Sequence, residues 1–316
     1  MKPLLKWLNA KSCGMGENLK NLINGRPAPG DALLLAGSGR SGTTWLADML
    51  CSTPGIQQIF EPEHPKYITQ VRSLGGFECR DPNIRRYYLR PNANEPGWAQ
   101  YWHDVLVGKI RNYWTDQVRT SWLPDRYLIK VIRANMMLGY VYDQYQPHII
   151  YLTRHPCAVV YSRLRKVAHP WHADVSDILC HEQLVEDHLR PWLKQIEAEK
   201  DEIGAHAVWW AVENMVAQRH LKIRPHYMVA YEALSLDTED VLRKLCIFCG
   251  IDFDKVDLSR ITRPSRMATP GTFIHSTQER LSEWQKGLDH SEQQRILDWA
   301  QRLGVSQYND QVLPIS

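Results

Sequence analysis

LLLAGSGRSGTTWLADML, residues 33–50, divides into three parts. Leu33 to Ala36 is an apolar run that reads as a buried strand. A glycine- and serine-rich loop, Gly37 to Gly42, follows, and from Thr43 the apolar residues recur at helical spacing. Strand, loop and helix in this order make an anion site, because the backbone N–H groups of residues 39–44 converge at a helix N-terminus. A triphosphate loop has the form G-x-x-x-x-G-K-[ST]. Gly37, Gly42 and Thr44 hold its positions, but Thr43 stands where the lysine belongs, and the only cation is Arg40. A P-loop kinase or NTPase also needs an acidic partner for Mg²⁺, and none is evident.

Outward from this loop, apolar runs at 56–60, 127–132, 148–153 and 226–231 read as further strands. Helical patterns cover 135–145, 155–166 and 206–222. The alternation predicts an α/β fold, P-loop-like and three-layered, with a central parallel sheet of about five strands flanked by helices. Residues 1–30 end in the turn-rich NGRPAPGD and read as a leader, and residues 31–316 as one domain. Segments 62–126 and 167–190 break the pattern and read as insertions at the edge of the sheet, where substrate loops sit.

Composition narrows the choice. Of the 316 residues, 44% are hydrophobic and 23% charged, as in an ordinary globular protein, and a net charge of +3 gives no reason to invoke nucleic acid. The seven cysteines are odd in number and scattered, which predicts a reducing compartment, the cytoplasm, rather than a disulfide framework. Cys246 and Cys249 lie in an apolar helical stretch and read as core. No run of 18 apolar residues occurs, so no transmembrane segment is expected. His169, His172, His181 and His188 lack a completing ligand pattern; they read as substrate contacts or solvated surface, and no metal is expected. Twelve tryptophans and fourteen tyrosines against five phenylalanines fit either core-edge packing or aromatic walls for a ring-bearing ligand.

A second motif is YLTRHPCAVVYSRLR, 151–165, in which Arg154 ends a strand and Ser162 follows eight residues later. A guanidinium can fork onto a phosphate and a hydroxyl can complete the hydrogen-bond set. With the first loop, it makes the chain resemble the PAPS-dependent sulfotransferases. Their 5′-phosphosulfate loop has the form [KR]-[ST]-G-[ST]-T-x, here Arg40-Ser41-Gly42-Thr43-Thr44-Trp45, and their 3′-phosphate motif matches Arg154 and Ser162. IFEP at 59–62, VAYEAL at 229–234 and RLSEWQKGL at 280–288 extend the likeness. The Arg-Ser-Gly loop is closest to the tyrosylprotein, carbohydrate and bacterial branches.

The resemblance implies a co-substrate, PAPS, and sulfuryl transfer without a metal. Gly39, Arg40, Ser41, Gly42, Thr43 and Thr44 would cradle the phosphosulfate, and Arg154 and Ser162 the 3′-phosphate. Tyr231 would lie near the adenine. Trp45 would either stack on the adenine or pack in the helix core. Ser276, Thr277, Arg280 and Lys286 lie where the family closes a loop over the 3′-phosphate. Arg40 and Lys130 would support the leaving group. Glu61, twenty-one residues after Arg40, would be the general base, with His64 the alternative. The acceptor implied is a carbohydrate; a small hydroxylated or amino metabolite is the other reading.

Overall fold

A computed structural model of the chain describes residues 26–75, 85–118, 124–165, 171–263 and 276–315. The five apolar runs are five strands: β1 Leu33–Ala36, β2 Ile56–Phe60, β3 Arg126–Val131, β4 His148–Thr153 and β5 His226–Ala230. They form one parallel sheet in the order β2-β3-β1-β4-β5. Central strands with both faces covered read as unbroken apolar runs, and all four residues of β1 are buried.

Alternate side chains go to opposite faces. Leu33, Leu35, Leu128, Ile150 and Leu152 pack against α1 (Thr43–Leu50) and, further out, the Leu242, Leu245 and Cys246 face of a helix spanning Thr238–Cys249. Leu34, Ile129, Ile149 and Tyr151 meet α2 (Pro96–Leu106) and α3 (Leu138–Tyr145) on the other face. Each fully buried Leu or Ile contributes about 1.5–3 kcal/mol, so these two layers hold the sheet between them. Cys246 and Cys249 are buried core thiols, as expected.

Two further helices complete the frame, α4 (Pro156–Leu164) and α5 (Glu202–Leu221), and they pack on each other. The sequence pattern starts α5 at residue 206; the helix begins at 202, where Asp201 accepts a hydrogen bond from the Gly204 N–H at 2.8 Å. A helix buried all round shows no apolar stripe, so only the cap marks its start.

Expected residues 1–25 of the leader, His169 and part of each proposed insertion lie outside the described residues. Arg26, near the leader's end, donates to the carbonyls of Val107 and Gly108. Among the described residues no helix is long and apolar enough to cross a membrane.

Candidate active site

The candidate residues stand at the carboxyl ends of four adjacent strands. The loop follows β1, Glu61 follows β2, Lys130 is near the end of β3, and Arg154 follows β4. From β1 the chain turns towards β2, and from β4 towards β5, so β1 and β4 flank the point where ligands bind in open parallel sheets.

Between β1 and β4, Arg40, Arg154, Ser162 and Tyr231 come together. Arg40 Nε donates to Ser162 Oγ at 3.0 Å, and Arg154 donates from its terminal nitrogen to the Arg40 carbonyl at 3.0 Å. Arg154 lies 4.5 Å over the Tyr231 ring. Burial, and then the neighbouring Arg154 charge, lower the Arg40 pKa to about 10. Gly42 opens α1 at φ 95°, and a side chain there would collide with Tyr231. Trp45 stands edge-on to Tyr231 with ring centres 6.0 Å apart. Ser41 Oγ and Arg154 Nε are buried and unbonded. Buried donors without partners are costly unless a ligand meets them, so this half fits an anion.

Between β2 and β3 one carboxylate meets two cations. Glu61, 6% exposed, accepts from Lys130 Nζ at 2.5 Å and from Arg133 at 2.8 Å through its two oxygens. Burial pushes its pKa up, but the Lys130 and Arg133 cations and their hydrogen bonds prevail and hold it near 2. Lys130 also lies 4.6 Å over the Phe60 ring. The β2–β3 ladder ends where the Glu61 N–H meets the Lys130 carbonyl at 2.8 Å, and Glu61 then turns the chain at φ 39°.

His64 is poorly placed as a base. Its Nδ1 accepts from the Lys66 N–H at 3.3 Å, which puts the proton of the neutral ring on Nε2. Burial, then the Arg133 charge, lower its pKa to about 3.

Near the chain's end, Ser276 and Glu279 form a capping box on the helix Thr277–Gly287, and Arg280 donates to Thr277 at 2.9 Å. His172 pairs with Glu202, His188 touches Tyr88 and Arg219, and His181 is buried.

Several residues that the sequence reading passed over belong to the site. Arg133 is the second cation on Glu61. Glu63, fully buried, accepts from the Ile132 and Arg133 N–H groups and fixes the turn that carries Arg133. Burial, and then the Glu61 charge, raise its pKa. Glu213 accepts from both Ser38 and Arg86 behind the loop. The signal for Glu213 was present: a lone carboxylate inside the apolar stretch Ala207–Ala217 needs a buried partner.

A model of the sulfotransferase family matches residues 33–255, which takes in the loop, the Glu61–Lys130 pair and the Arg154 motif. The chain belongs to the sulfotransferase family, whose enzymes take their sulfuryl group from PAPS. Solved structures similar to it include a sulfotransferase domain of the Synechococcus PCC 7002 olefin synthase, 18% identical, covering 88% of this chain and 94% of that one at a TM-score of 0.43. A mouse sulfotransferase complexed with PAP is 15% identical, with 90% and 87% covered and a TM-score of 0.46. A sulfotransferase from Alicyclobacillus acidocaldarius is 16% identical, with 87% and 96% covered and a TM-score of 0.39. A comparison with curated protein sequences finds none that matches.

Proposed function

We propose that this single domain, from residue 31 on, transfers the sulfuryl group of PAPS to an acceptor hydroxyl, with Glu61 as the proton acceptor. The observation that carries this reading is the buried Glu61–Lys130 pair, 2.5 Å apart and set at neighbouring strand ends beside the anion loop. PAPS brings a phosphosulfate anhydride at its 5′ end and a separate 3′-phosphate. The N–H groups of residues 39–44 and the hydroxyls of Ser41, Thr43 and Thr44 hold the first. Arg154 and Ser162 hold the second, with Tyr231 and Trp45 towards the base.

In the transfer, the acceptor oxygen bonds to sulfur as the sulfur–oxygen bond to the 5′-phosphate breaks. The electron pair stays on the phosphate oxygen, where Arg40 and Lys130 balance its charge, and the acceptor proton passes to Glu61. A carboxylate held near pKa 2 is a weak base, and the pairing itself supplies the remedy. Lys130, drawn to the departing oxygen, leaves Glu61 with Arg133 alone. Burial then pushes the Glu61 pKa up while the proton is being transferred.

For the acceptor we favour a carbohydrate. The Arg-Ser-Gly loop supports it, and so does an aromatic cluster next to Glu61. Trp114 donates to the Glu61 carbonyl at 3.1 Å and stacks on Tyr67 at 3.9 Å, and Tyr113 beside them is 75% exposed. Such rings suit the apolar face of a sugar. The test is transfer of labelled sulfate from PAPS to a panel of glycans, small alcohols and amines, with and without EDTA. Label is expected on glycan hydroxyls, undiminished by EDTA. Label only on the small alcohols or amines would move the acceptor to that class, and Mg²⁺-dependent phosphoryl transfer from ATP instead would remove the sulfotransfer reading.

A further inference from the structure

Arg40 is one of three non-glycine residues at positive φ among those described, at 80°. It occupies the third position of a turn closed by the Ser41 N–H on the Ser38 carbonyl at 3.0 Å. A third residue near +80° with the second, Gly39, not at positive φ makes a type II turn, where glycine is the usual third residue. Rotating the central peptide, Gly39–Arg40, would convert the turn to type I and bring Arg40 to about −90°, which costs an arginine nothing. Something must therefore hold this peptide in the form that strains Arg40.

The holding group is visible behind the loop. Arg163, fully buried on α4, donates through Nε to the Gly39 carbonyl at 3.3 Å and through a terminal nitrogen to Ser38 Oγ at 2.9 Å. Glu213, 2% exposed on α5, accepts from Ser38 and from Arg86 and lies 3.6 Å from Arg163. The Trp171 ring covers the assembly: it lies 5.4 Å from the Arg163 guanidinium, and a side chain on Gly39 would strike it. In a planar trans peptide the C=O of one residue and the N–H of the next point in opposite directions. A Gly39 carbonyl held back by Arg163 therefore turns the Arg40 N–H the other way.

We propose that Arg163, braced by Glu213, is a positioning residue that locks the Gly39–Arg40 peptide with its N–H directed at the 5′-phosphosulfate. This rests on the PAPS reading of the loop. Without the lock the relaxed turn presents a carbonyl to the anion. The loss falls mainly on the 5′ group, because the side chains of Arg154 and Ser162 that hold the 3′-phosphate bond to the Arg40 carbonyl and side chain, not to the Gly39–Arg40 peptide N–H.

Calorimetry on the full chain separates this role from a merely structural one. Adenosine 3′,5′-bisphosphate and adenosine 3′-monophosphate are titrated into wild type, Arg163→Met and Arg163→Lys. Arg163→Lys keeps a cation beside Glu213 and preserves the fold if Arg163→Met does not, yet it cannot fork onto both Ser38 and Gly39. Both variants are expected to bind the bisphosphate about tenfold or more weakly, the scale of one lost hydrogen bond to a phosphate, with 3′-monophosphate affinity within twofold of wild type. Equal weakening of the two ligands, or no weakening of either, overturns the lock. Failure of wild type to bind the bisphosphate would instead overturn the PAPS reading beneath it.

Discussion

The two halves of the site handle charge in opposite ways. Between β1 and β4, two like charges are pressed together: Arg154 bonds to the backbone of Arg40 and helps to lower its pKa to about 10. Between β2 and β3, a carboxylate is enclosed by two cations and its pKa lies near 2. The first half is unfavourable until an anion arrives, whereas in the second a carboxylate is already paired with its cations. An incoming phosphosulfate therefore relieves repulsion on one side and competes for Lys130 on the other. Under the roles proposed for Glu61 and Lys130, binding and base activation would be one electrostatic event, and substitutions in the two halves should show themselves in different measurements.

The largest effect belongs to the paired half. Glu61→Gln keeps the shape and one of the two acceptor oxygens that meet Lys130 and Arg133, but cannot take a proton, so kcat should fall by about 10²–10⁴. Affinity for adenosine 3′,5′-bisphosphate should stay within a few-fold, since the anion half is untouched. His64→Asn places an oxygen where Nδ1 accepts from Lys66 and should keep turnover within about tenfold. Steady-state kinetics on the two variants decide the matter. A near-normal Glu61→Gln beside a dead His64→Asn would transfer the base to the histidine and erase the contrast between the halves.

The anion half should respond in binding. Wild type should prefer adenosine 3′,5′-bisphosphate over 5′-AMP by more than tenfold, because a charge-assisted hydrogen bond to a phosphate is worth about 1.5–3 kcal/mol. Arg154→Met should collapse that preference to a few-fold, leaving 5′-AMP affinity little changed. If the variant loses both nucleotides equally, Arg154 supports the loop through its bond to the Arg40 carbonyl and does not read the 3′-phosphate.

How far these halves were legible in the sequence follows from their physics. The strands were visible because a parallel sheet covered on both faces needs unbroken apolar runs such as Leu33–Ala36 and His148–Thr153. The loop and the Arg154–Ser162 spacing were visible because they are local: one turn and one helix fix their geometry. Glu61 and Lys130 could be singled out as separate candidates, but their contact depends on the register that sets Phe60 against Lys130, which no local pattern encodes. Arg133 and Arg163 were missed for the same reason. Each is an ordinary arginine in the chain and gains its role from a partner 72 residues away in the case of Glu61 and 124 in the case of Gly39.

The smallest effect, and the finest probe of the paired half, is acid stability. Burial and the Arg133 charge hold the His64 pKa near 3, against an ordinary value near 6.5, so the fold keeps the ring neutral. As pH falls below 6.5 the unfolded chain takes up a proton at this position that the native protein refuses until about pH 3. Stability contributed by the neutral ring is thus present above pH 6.5 and is lost on acidification, by at most about 3 kcal/mol at pH 4. Glu61 acts in the same direction but later. Its depressed pKa contributes stability that is complete above its unfolded value near 4.5 and is lost between there and about 2. Between pH 6.5 and 4.5 the histidine can therefore be read separately. Thermal midpoints of wild type and His64→Asn, followed across that interval, should converge as pH falls, because the wild type loses a few degrees that the variant has no ring to lose. Other buried histidines, such as His206 and His220, titrate in both proteins and cancel in the difference. Parallel curves would mean that His64 is protonated in the native state, and the half of the site around Glu61 would then carry one more positive charge than the paired arrangement allows.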